Sequence, residues 1–88
     1  MKQIQAITYK TDDEMKDLAN TTLQQAIALR TSPTNVAQVK TELYRQGLSD
    51  EEVEDRSSAI LKFATVTGTK VKTATKIITT ALQNDLAV

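Results

Sequence analysis

Cysteine, histidine and tryptophan are all missing from this chain, and one proline and two glycines serve its 88 residues. Without cysteine there is no disulfide framework and no thiolate metal site. Without histidine the chain loses the commonest general base, the usual metal ligand and the side chain that titrates near neutral pH. A Ser-His or Cys-His nucleophile pair is therefore impossible, and neither Gly47 nor Gly68 sits in a phosphate-loop or dinucleotide pattern. Aromatic residues are limited to Tyr9, Tyr44 and Phe63, so the core must be a light one of Leu, Ile, Val, Ala and Met. No apolar run approaches a membrane span, and the opening "MKQIQAITYK" lacks the apolar stretch of a secretory signal. These absences lead us to expect a soluble, cytoplasmic, non-enzymatic protein with no cofactor, metal or small-molecule substrate and no membrane association.

What is present fits a folded chain. The length suits a single domain, 1–88, near the size at which self-association often supplements burial. An apolar fraction of 40% and a charged fraction of 25% are ordinary for a folded protein and too apolar for a disordered one. Eleven bases balance eleven acids, but unevenly. Asp12, Asp13, Glu14 and Asp17 form one acidic cluster, and Asp50, Glu51, Glu52, Glu54 and Asp55 form another. From Arg56 to Asn84 there are five bases and no acid, so the tail is locally basic.

Helix punctuation marks the middle of the chain. Thr11 and Glu14 form a capping box, and Met15, Leu18, Ala19, Thr22, Leu23, Ala26 and Ile27 recur at helical spacing, predicting a helix over about 12–30. Ser32 and Pro33 are an N-cap and first-turn pair for a second helix carrying Val36, Val39, Leu43 and Tyr44 or Gln46. Gly47 supplies its left-handed end, with Leu48 folding back as the accompanying contact. Ser49 and Glu52 form a second capping box, opening a helix with Val53, Ser57, Ile60, Phe63 and Ala64 inward. The opener at 3–10 leans toward a short strand, although its alternation slips at Ile7; that point stays open.

The last third admits two conformations. A hairpin would pair 63–67 with 70–74 across Gly68 and Thr69, but its buried face would be mostly threonine hydroxyls. A helix over about 70–85, capped by Thr69, gathers Val71, Ala74, Ile77, Ile78, Ala81 and Leu82 on one side and Lys72, Thr73, Lys76, Thr79 and Thr80 on the other. It buries far more, and burial outweighs the modest helix propensity of threonine. The expected fold is mainly α, a compact bundle of about four short helices, with a short N-terminal strand ahead of them as the open alternative.

The acidic clusters are explained by capping and by the positive end of each helix dipole, and they lack the glycine and ligand spacing of a calcium loop. The stretch "ILKFATVTGTKVKTATKIIT", at about 60–79, resembles a helix-turn-helix, with Ala64 and Gly68 four apart and Ala74 and Ile77 at apolar positions of the second helix. That resemblance implies DNA binding through Lys70, Lys72, Thr73 and Lys76, the lysines on phosphates and the threonine on a base edge. Weaker likenesses link the opener and the next two helices to ribbon-helix-helix dimers, and "YRQGLSDEEVED" to the helix junction of ubiquitin-associated domains. Zero net charge favours a protein partner or self-association over nucleic acid. The residues expected to carry that contact are Asp50, Glu51, Glu54, Lys72 and Lys76, and DNA binding is the alternative.

Overall fold

The computed structural model describes the backbone of residues 2–86 and the side chains of residues 3–81. Among them are five helices and no strand: α1 (Lys2–Thr8), α2 (Asp12–Ala28), α3 (Pro33–Arg45), α4 (Asp50–Thr67) and α5 (Val71–Leu86). They form a compact bundle flattened to 37 × 30 × 17 Å, with α3 packed against each of the other four.

The opener is a helix rather than a strand. Ile4 is fully buried and Ile7, three residues on, packs against the same core. The break in alternation at Ile7 is thus the helical phase. The helix stops at Tyr9, whose φ of 58° turns the chain into the left-handed region.

Both capping boxes form, with the Thr11 and Ser49 hydroxyls accepting from the Glu14 and Glu52 amides and each glutamate accepting from its cap amide. Ser32 caps α3 ahead of Pro33, Gly47 adopts φ 82°, and Leu48 packs against the core as expected. The end of α2 is less expected. Thr31 N–H donates to Ala26 and Arg30 N–H to Ile27, closing a Schellman turn with Arg30, a non-glycine, at φ 55°.

Burial corrects two predicted stripes. In α2 the inward set is Leu18, Thr22 and Ala26, with Met15 and Leu29 packed beside it, whereas Leu23 is 50% and Ile27 76% exposed. The 17-residue helix needs only one face to cover α3, and Leu23 and Ile27 fall past its edge. In α4 the stripe is wider than predicted: Leu61 is fully buried, and Phe63 packs half-buried against the same core.

The question at 63–78 resolves as helix, turn, helix. α4 runs to Thr67, Gly68 closes it at φ 71°, and α5 begins at Val71, where the Ala74 amide donates to the Lys70 carbonyl. The Thr69 hydroxyl lies 2.7 Å from Thr67 and belongs to the end of α4, not to a cap on α5. α5 is also rotated from the predicted phase. Val71, Ala74, Thr75 and Ile78 face the core, while Ile77 is 48% exposed and Ala81 is exposed. The Thr75 hydroxyl satisfies itself on the Val71 carbonyl, so burial leaves no unpaired donor. The Leu82 side chain lies outside the described residues.

Candidate functional site

α3 and α5 lie side by side, joined where the Gln46 amide donates to the Thr79 hydroxyl at 3.4 Å. Between them runs an open groove of about 810 Å³, flanked by Gln3 of α1. Its α3 wall is Thr34, Gln38, Thr41, Glu42 and Arg45, a row at helical spacing that points away from Val36 and Leu43. Its α5 wall is Lys72, Lys76, Thr79 and Thr80, with Ala37, Val39, Val71 and Thr75 also lining it. Val39 and Thr75 are buried, Ala37 and Val71 half-buried, so the floor is small and largely apolar beneath a polar rim.

Lys72 and Lys76 are exposed, sit one helical turn apart, and form no ion pair among the described residues. Across the groove Arg45 reaches Glu42 at 3.7 Å, an exposed contact of little energetic weight. Three cations therefore face one carboxylate along this rim.

The acids named from sequence go elsewhere. Asp50 receives Lys10 Nζ at 2.9 Å and the Tyr44 hydroxyl at 2.8 Å, and the Lys10 ammonium sits 5.9 Å from the Tyr44 ring centre. The lysine, then the tyrosine, hold the Asp50 carboxyl below its ordinary range, while burial and then the Asp50 hydrogen bond push the Tyr44 phenol up. Glu54 accepts from Lys40 at 2.7 Å, and Lys40, fully buried, also donates to Thr22 at 3.3 Å. Glu51 is exposed at the start of α4. The five residues expected to form a contact surface are thus divided: Asp50 and Glu54 tie helices together, and Lys72 and Lys76 line the groove.

The four residues of the helix-turn-helix reading divide as well. Lys70 precedes the first residue of α5, whereas Lys72, Thr73 and Lys76 lie within it, and all four are exposed. Lys72 and Lys76 line the groove, and Lys70 and Thr73 do not. The turn between α4 and α5 does carry the left-handed Gly68, with Ala64 and Ala74 buried on either side.

No family model, curated protein or solved structure matches this chain. No three acidic side chains converge to hold a metal ion among the described residues, and no helix there is long and apolar enough to cross a membrane.

Sequence reasoning found Lys72 and Lys76 but missed Arg45, Glu42 and Gln38. Their helical spacing was visible, yet a polar row on one helix is indistinguishable from a solvated face until a second helix stands beside it. Lys40 left a clearer signal, four residues after Val36 and three before Leu43, squarely within the apolar stripe.

Proposed function

We propose that this chain is a small, non-enzymatic accessory protein of the cytoplasm that works by holding a protein partner, and that the partner sits in the groove between α3 and α5. The observation that carries this reading is the groove itself: a concave channel with a small apolar floor and a polar, basic rim. In this reading Lys72, Lys76 and Arg45 contact the partner, while Asp50 and Glu54 hold helices together.

DNA binding through 60–79 is the second reading, favoured by the Gly68 turn alone. A recognition helix needs its contacting residues on one projecting face, whereas Lys72 and Lys76 line a groove beside α3 and Lys70 precedes α5.

The deciding comparison is capture from host extract by the wild-type chain, by Lys72→Glu with Lys76→Glu, and by Lys16→Glu with Lys62→Glu as an equal-charge control. A protein retained by wild type and control but lost by the groove variant supports the proposal. Equal retention by all three overturns it. A duplex mobility shift that weakens steeply with salt and disappears in Lys70→Glu with Lys72→Glu would favour DNA instead.

A further inference from the structure

The groove's dimensions and charge specify the chemistry of its occupant. Resting on the reading above, we infer that it takes an amphipathic helix of roughly three turns bearing two carboxylates four residues apart.

Length comes first. From Thr34 to Arg45 the α3 wall covers about 16 Å, the length of roughly three helical turns. Between the long side chains of the rim, four short ones line the channel, Ala37, Thr41, Thr75 and Thr79. Short side chains at a contact let two helix axes approach toward the close end of the 8–10 Å range. With no sheet among the described residues there is no strand edge for an extended peptide to join, and a channel flanked by two helices suits the helix-in-groove mode of recognition.

Charge supplies the second element. The ammonium groups of Lys72 and Lys76 repeat along α5 at four-residue spacing, about 6 Å along the axis. A helix lying alongside α5 presents carboxylates at the same interval when they are four residues apart. Arg45 offers a third cation on the opposite rim, and Glu42 accepts a basic or amide group there. The occupant's remaining face is apolar and small, to meet Ala37, Val39 and Val71. A duplex fits this arrangement poorly, because its major groove admits a projecting helix whereas these lysines line a channel.

The test uses the full chain, isotopically labelled, and three synthetic helical peptides of about twelve residues. One carries Glu at two positions four apart, one Gln at both, and one Lys at both. Binding is followed through the backbone amide resonances of 34–46 and 71–80.

The inference expects the Glu peptide to shift those two segments and to bind at least tenfold tighter than the Gln or Lys peptide. Lys72→Gln with Lys76→Gln should narrow the Glu-to-Gln difference to under threefold while leaving the thermal melt unchanged. Equal affinity for Glu and Gln peptides within the groove overturns the carboxylate assignment and leaves the protein-groove reading intact. Shifts confined to residues outside the two segments, or none at all, overturn the helical occupant; the capture comparison then judges the broader reading separately. A random-sequence duplex that shifts the same amides at lower concentration than the Glu peptide overturns the inference in favour of nucleic acid.

Discussion

Lys40 and Glu54 form a 2.7 Å ion pair in which the cation is fully enclosed and the anion's side chain remains 36% exposed. This asymmetry makes the two partners unequal under mutation. Glu54→Ala leaves an enclosed ammonium with only the Thr22 hydroxyl and should lose about 3–5 kcal/mol. Lys40→Met keeps the aliphatic length and leaves a carboxylate that water can reach, so it should cost less than about 1.5 kcal/mol. Urea denaturation of both variants measures the difference. The reverse order would mean that the ammonium reaches solvent.

Acid should unfold the protein through its paired carboxylates. Asp50 is held below the ordinary range by Lys10 and then Tyr44, and Glu14 and Glu52 by hydrogen bonds from their capping residues. A lowered pKa in the folded state means that the unfolded chain takes up the proton first as pH falls. The associated stability is complete above the ordinary carboxylate pKa of about 4 and drains away as pH passes down through the folded values. Thermal melts should be level between about pH 5 and 8 and drop on the acid side. Tyr44→Phe should cost about 1 kcal/mol, given how open Asp50 is to water, and should flatten that acid-side drop.

Two residues in the same backbone conformation should respond oppositely to substitution. Gly68 at φ 71° has open space where a Cβ would go, so Gly68→Ala carries only the left-handed backbone penalty, about 1 kcal/mol. Arg30 at φ 55° already bears that penalty, and Arg30→Gly should gain up to about 1 kcal/mol. Paired denaturant titrations check the two signs. A loss on Arg30→Gly would point to side-chain contacts made by the arginine.

Ile4 and Ile27 share a chemistry and differ in burial, 0% against 76% exposed. Ile4→Ala should cost about 2–4 kcal/mol and loosen α1 from the core, while Ile27→Ala should stay within about 0.5 kcal/mol. Circular dichroism melts would distinguish them. Similar costs at both positions would show that the outer face of α2 is covered in solution.

Legibility followed the range of the interactions. Caps and turns involve neighbours in sequence, and Thr11, Ser32, Ser49, Gly47 and Gly68 marked the ends of α2, α3 and α4 to within a residue or two. Which part of a stripe faces inward depends on the helix opposite it. That is why Leu23, Ile27 and Ile77 turned outward while Thr75 and Lys40 turned in. The opener misled because Ile4 and Ile7 have β-leaning side chains, and only the packing of α1 on α3 rewards their helical phase. At the groove only the α5 wall is legible in the sequence, since the adjacency of α3 and α5 is a property of the fold alone.

The central position of α3 governs how the protein breathes. Every other helix leans on it, so none of its buried amides can meet solvent without parting at least one helix pair. Deuterium should enter last along Val36–Tyr44, and at a rate set by global unfolding, whereas α1 and α5 should label early by detaching singly. A ligand seated against α3 and α5 would slow labelling in the last helix before any other, giving occupancy a signature independent of the ligand's identity.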